Sequence, residues 1–168
     1  ISKLTQLYSV LSRANEAIVR IRDIKSLCLE ICRIVAEEGN FPLVWVGLVE
    51  KQSVIPLAWS GPSSDYLNKI KVKVKGDLGK GPTGACIRED RPVVNNDFTT
   101  NATVSHWREA AMDYCFRASA AFPLHSEGKI VGALSIYSLE ANAFNEDQIR
   151  LLESLSSDVS YALDSIED

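Results

Sequence analysis

Two pairs of largely apolar stretches, each pair joined by a short polar turn, limit what this chain can fold into more than any other feature. Residues 41–50 (FPLVWVGLVE) and 53–60 (SVIPLAWS) flank Lys51-Gln52, while residues 118–124 and 129–137 (KIVGALSIY) flank Ser126-Glu127-Gly128. Strand-forming runs separated by so few residues read as β-hairpins. A hairpin needs no crossover helix, so the pattern predicts an antiparallel sheet and argues against a doubly wound parallel one. Pro56 cannot donate to a sheet ladder, which predicts an edge or a bulge at that point.

Helical patterns bracket the hairpins. Leu4, Leu7, Leu11, Ala14, Ile18 and Ile21 recur at alternating spacings of three and four, an a/d seam within a helix expected over 1–22. Asp23 is placed to cap a second helix carrying Ile24, Leu27, Ile31, Ile34 and Val35 on one face, and Gly39 to stop it. At the other end, Asn145 is placed to cap a helix reaching Ile166 within 145–168, where Leu152, Leu155, Val159, Ala162 and Ile166 repeat the spacing. Between the hairpins the pattern predicts a short helix over 64–70, and then a strand over 69–75 with its lysines in solvent. A helix opened by Pro82 and running to Glu89, a strand over 92–95 and a helix over 104–113 follow. Helices packed on an antiparallel sheet make the fold class α+β. The two seams add a second expectation: a homodimer through the terminal helices, with Leu4, Leu7, Leu11, Ile18, Leu152, Leu155 and Val159 at the interface. The alternative is that both stripes face the core of their own domain.

Composition closes off several classes. A length of 168 residues fits a single domain over 1–168, and 46% apolar with 24% charged residues is the balance of a globular protein. A net charge of −4 gives no electrostatic footprint for nucleic acid. No stretch approaches the ~20 apolar residues that span a bilayer, so no membrane contact is expected. The four cysteines (Cys28, Cys32, Cys86, Cys115) are too sparse for a secreted disulfide scaffold, which points to a reducing, cytoplasmic setting. A start at Ile1 and an end on a charged helix suggest a piece of a longer protein.

From Leu78 to Ala85 (LGKGPTGA) the chain resembles the GAF family, and the likeness continues in family order. It runs through Arg91-Pro92-Val93-Val94, Asn96-Asp97, residues 117–124 (RASAAFPL), residues 128–134 (GKIVGAL) and Phe144. The resemblance implies a GAF/PAS-like central antiparallel sheet of about six strands. It further implies terminal helices on one face, a ligand pocket on the other, and a sensory or relay role without enzymatic activity. Family members usually sit between other sensory modules and a kinase, a cyclic-di-GMP enzyme or a transcription-activating domain. Flanking sensory and effector domains are therefore expected partners, as in a sensor histidine kinase of a two-component system or a cyclic-di-GMP enzyme. By position, the pocket for an unidentified small molecule is expected to use Trp45, Trp59, Asp97, Trp107, Ser119, Phe122 and Tyr137. A ligand-free dimerisation spacer is the alternative within the same fold.

Sharper chemistries match only in part. Gly76-Asp77-Leu78-Gly79-Lys80 has two residues between its glycines where a phosphate-cradling P-loop needs four, and Gly81 follows the lysine in place of Ser or Thr. Of the signature of cyclic-nucleotide members, Phe144 and Asp147 are present, whereas Tyr137-Ser138 stand in place of Asn-Lys and Gln148 in place of Glu. Cys115 precedes Phe116 where bilin-attaching members have histidine. No cofactor is therefore assigned; haem through His106 or His125, or another small molecule, stays open. The enzymatic branch of the family reduces free methionine sulfoxide with pocket cysteines, and Thr83 stands where those enzymes carry one of them. Cys28 and Cys32, four apart on an apolar helix face, read as buried thiols.

Overall fold

A computed structural model describes residues 3–98 and 108–167. Five helices, α1 (Lys3–Arg20), α2 (Ile24–Gly39), α3 (Pro82–Glu89), α4 (Arg108–Asp113) and α5 (Glu146–Glu167), accompany six strands, β1 (Leu43–Glu50), β2 (Ser53–Ser60), β3 (Val72–Lys73), β4 (Val93–Asn95), β5 (Ala118–Ser126) and β6 (Lys129–Ser138). The strands form one antiparallel sheet in the order β3-β2-β1-β6-β5-β4. This is the α+β, GAF-like architecture expected above.

Local chemistry sets most of the boundaries. Asp23 accepts a hydrogen bond from the Ser26 N–H at 2.9 Å and caps α2. At the other end the left-handed residue is Asn40 (φ 60°), whose N–H reaches Ala36 O, and Gly39 stays inside the helix. Asparagine tolerates this conformation because its short amide can bond locally. Asn145 and Gln148 cap α5 reciprocally, each side-chain oxygen taking the other's backbone N–H at 2.9 Å. In the β5–β6 hairpin, Glu127 (φ 52°) and Gly128 (φ 76°) both take the positive φ of a two-residue turn. Pro56 lies opposite Gly47, where the β1–β2 register shifts, and beyond the two β2 residues that β3 pairs.

The strand expected over 69–75 shrinks to Val72–Lys73. Its alternation held, since Ile70, Val72 and Val74 turn inward and the lysines between them outward. Only Ser53 and Val54 of β2 pair with it, so the ladder is short although the faces are right. Of the helix expected over 104–113, Arg108–Asp113 is α4; the remainder lies outside the described residues.

The sheet separates two apolar clusters. On one face α1, α2 and α5 pack over Val44, Val46, Ala120, Phe122, Leu124, Leu134 and Ile136. On the other, Leu43, Trp45, Tyr66, Val72, Cys86, Phe98, Phe116 and Tyr137 form the second. The terminal-helix seams belong to the first. Leu7, Leu152, Leu155 and Val159 are each 3% exposed or less, and Leu11 and Ile18 pack against the same cluster. These side chains cannot serve as a dimer interface while they fill their own core; Leu4 is half-buried beside them. The three-four spacing is the pattern of any helix laid on another, and α1 has α2 and α5 as its neighbours.

Candidate functional site

The start of α3 faces the sheet across a small pocket. Gly81 caps the helix in an extended conformation, Pro82 takes the first position, and Thr83 and Gly84 complete the turn. A Cβ on Gly84 would lie 2.5 Å from Lys73 O and 2.6 Å from Gly79 O, so only glycine lets α3 settle this close to the 73–79 backbone. The floor is Ser119 of β5 and Tyr137 of β6, and the walls are Tyr66, Ile70, Val72, Phe98 and Ala111. Tyr66 stands on the 3-10 helix Ser64–Asn68, with its ring 5.0 Å from Phe116 and 5.5 Å from Tyr137 between centroids. The Tyr114 hydroxyl donates to Asp65 at 2.7 Å and ties that helix to the α4–β5 turn.

Space open to water-sized guests is about 30 Å³, enough for about two waters or a guest of a few heavy atoms. Among the described residues no lining side chain carries a charge, and the polar ones are hydroxyls: Tyr66, Thr83, Ser119 and Tyr137. Thr83 Oγ1 and Ser135 Oγ share one hydrogen bond of 2.7 Å, leaving one of the two protons free to donate. Burial pushes the Tyr137 phenol up to about 12 and the Tyr66 phenol higher still, the latter also through its neighbour Tyr137, so both remain donors. Trp45 Nε1 stands beside the Tyr137 hydroxyl, close enough to oppose that shift but without hydrogen-bond geometry. Among the described residues it is one of three buried side-chain N–H groups without a partner; Asn95 Nδ2 and Arg117 Nε are the others. Each such orphan costs about 1–3 kcal/mol, so an acceptor brought to it is rewarded.

The same balance weighs against ions. A carboxylate taken into such a site gives up several kcal/mol of hydration. With no cationic side chain on the lining among the described residues, a helix N-terminus returns about 0.3–2 kcal/mol. A cation would meet hydroxyls and N–H groups without a carboxylate to balance it.

Of the residues expected from sequence, Ser119 and Tyr137 line this pocket. Trp45 is buried on the same sheet face and borders the adjoining groove with Leu67, Ile70 and Val72. Trp59, opposite Trp45 in register, is 47% exposed and lines a separate surface groove with Pro56 and Asp65. Asp97 follows β4, with its N–H on Asn95 Oδ1 and its carboxylate 3.8 Å from Arg117. Phe122 is a correction: side chains alternate along β5, and Phe122 points to the helical face while Ser119 and Ala121 face the pocket side. Trp107 and His106 lie outside the described residues. His125 lies on β5 with Nε2 2.7 Å from Asp90 and is not among the lining residues. Tyr66, Ile70, Val72, Thr83 and Phe98 were missed as pocket residues. The alternation over 69–75 already turned Ile70 and Val72 inward, and this could have flagged them.

No cysteine lines the pocket. Burial raises the Cys28 thiol to about 11, Cys86 to about 12 and Cys32 further, whereas Cys115 is exposed. Cys32 Sγ contacts Ala58 O at 3.7 Å on the helical side of the sheet. Among the described residues no cluster of three or more His, Cys, Asp or Glu could hold a metal, and no helix is long and apolar enough to cross a membrane.

No curated protein matches this chain. Among solved structures it is similar to a free methionine-R-sulfoxide reductase from Neisseria meningitidis in complex with its substrate, at a TM-score of 0.80 and 17% identity over 96% of this chain and 90% of that one. The reduced form of the corresponding Staphylococcus aureus protein, fRMsr, gives 0.76 and 18% over 94% of each. The GAF domain of a phosphoenolpyruvate-protein phosphotransferase from Coxiella burnetii gives 0.77 and 16% over 96% and 95%. These reductases overturn the expectation of a role without enzymatic activity, because the same fold at the same coverage carries catalysis. The family model for the GAF domain matches residues 21–164. The chain therefore belongs to the GAF domain family, as its sheet order, its terminal helices on one face and its pocket on the other already indicated.

Proposed function

We propose that this GAF domain binds a small molecule in the pocket between α3 and the sheet, as the sensory element of a signalling protein of the histidine-kinase or cyclic-di-GMP type. The observation that carries this reading is one small space lined by the hydroxyls of Tyr66, Thr83, Ser119 and Tyr137 and, among the described residues, by no charged side chain. The sheet lies between that space and α1 and α5. A ligand acts on the helices only if it binds two of their arrangements with different affinity. Asn96 offers a mechanical link: its amide takes the Phe144 N–H and donates to Phe144 O, each at 3.0 Å, joining the end of β4 to the approach to α5. Native mass spectrometry of the purified protein tests the reading. A bound small mass that Tyr137→Phe or Ser119→Val removes supports it, and a mass that both variants retain would place the ligand elsewhere.

A second reading follows from the similarity to the reductases: the pocket turns its ligand over. Reduction of a sulfoxide sends its oxygen to water and takes two electrons from thiols, which an added dithiol restores. Incubation with free methionine-R-sulfoxide and dithiothreitol distinguishes the two. Methionine formed above the blank by wild type, and lost in Cys86→Ser or Cys115→Ser, establishes the enzyme; formation at the blank rate rejects it for this substrate.

A further inference from the structure

We propose that the part of the ligand buried in this pocket is an uncharged hydrogen-bond acceptor, an oxygen of the ketone, amide or ester class. The inference rests on the binding reading above and gives it a chemical class.

Two groups of donors line the site, and a third lies on the same face of the sheet beside it. The first is the opening turn of α3, where Thr83 N–H and Gly84 N–H make no hydrogen bond among the described residues; the first intrahelical bond there is Ala85 N–H to Gly81 O. The second is the hydroxyl set of Tyr66, Ser119, Tyr137 and the Thr83–Ser135 pair. The third is independent of both and comes from the sheet. Trp45 is 1% exposed with Nε1 unpartnered beside the Tyr137 hydroxyl. Asn95 is 3% exposed, paired with Ser119 in register and so on the same face, with Oδ1 engaged by Asp97 N–H and Nδ2 unpartnered. Buried polar groups are nearly always satisfied, and these lack an acceptor. A guest held by the donors that line the site carries acceptor oxygen and no formal charge, since among the described residues no lining side chain could neutralise one.

Three planar probes of one size separate the possibilities: acetone (neutral acceptor), acetate (anion) and acetamidinium (cation, donor only). Each is titrated into ¹⁵N-labelled full chain, reading the Trp45 indole N–H, assigned by Trp45→Phe, and the Thr83 and Gly84 amides. Acetone is expected to shift these signals saturably, with acetate at least several-fold weaker and acetamidinium without effect. One hydrogen bond corresponds to about 2- to 10-fold in affinity, so Tyr137→Phe should weaken acetone by about that factor. A spectrum of Tyr137→Phe that superimposes on wild type away from the pocket verifies its fold. Should that variant unfold, Ser119→Ala takes its place with the same expectation. Acetate binding tighter than acetone, or saturable shifts with acetamidinium, overturns the inference. Xenon serves as an apolar control. Shifts with xenon and none with acetone overturn the acceptor class while leaving a guest-binding pocket; no shift with any probe or with xenon removes the binding reading itself.

Discussion

Thr83 shows how one side chain can separate neighbouring chemistries on one backbone. The residue is 6% exposed and its hydroxyl is engaged with Ser135, so the start of α3 presents a neutral hydrogen-bonding group to the pocket. Thiols appear only outside the pocket, three of them buried and one exposed. Reactivity follows the thiolate, and burial pushes Cys28 and Cys86 up to about 11 and about 12. Titration of the native protein at pH 8 with a chromogenic disulfide is therefore expected to modify Cys115 rapidly and the other three only on unfolding. Cys115→Ser should abolish the fast phase; a second fast thiol would show that α2 or α3 opens far more readily than its packing implies.

Each terminal helix has the spacing of a coiled-coil seam, yet that spacing is spent inside the domain. Leu7 is 3% exposed, and α1 packs on both α2 and α5. The double substitution Leu7→Lys and Leu11→Lys, which would separate subunits if the seam were an interface, places a charge in the core instead. It is expected to unfold the domain, and Leu7→Ala alone to cost about 2–5 kcal/mol in denaturant melts. A folded protein with an unchanged midpoint would return the seam to the surface. The large apolar side chains that α1 leaves exposed are Tyr8 (59%) and Val19 (80%). The heptad test in the sequence could not tell a helical partner in the same chain from one in another, because both present the same grooves.

For the molecule as a whole, the sheet acts as a partition with a tightly packed helical side and a pocket side whose N–H groups are partly unsatisfied. Both sides bury titratable groups in the neutral form. Cys28 belongs to the helical side and Cys86 and Tyr137 to the other, each raised by desolvation from 9.0, 9.0 and 10.0 respectively. A group of this kind stays protonated longer in the folded than in the unfolded chain. Its contribution is complete below the unfolded value and is lost as pH rises through the folded one. Thermal midpoints are thus expected to hold between pH 7 and about 8.5, then fall steadily to pH 11. Cys28→Ala with Cys86→Ala should flatten part of that slope; an unchanged slope would assign it to other groups.

The sequence by itself determined the hairpins, the α2 and α5 caps and the order of elements, because these follow from neighbours within a few residues. Glu127-Gly128 turns, Asp23 caps and Asn145 caps wherever the rest of the chain goes. It also reached Ser119 and Tyr137 through the family pattern, and it placed Phe122 beside them, on the wrong face, because a motif gives position along a strand without the register that sets the face. Tertiary structure alone decided which stripe of each terminal helix is core and how short β3 becomes. It also decided that residues as distant as Tyr66, Thr83, Ala111 and Tyr137 meet around one space. The physical reason is range. Turns and caps are closed by bonds to near neighbours, whereas a pocket is the gap left when distant elements pack, and no local spacing records its shape.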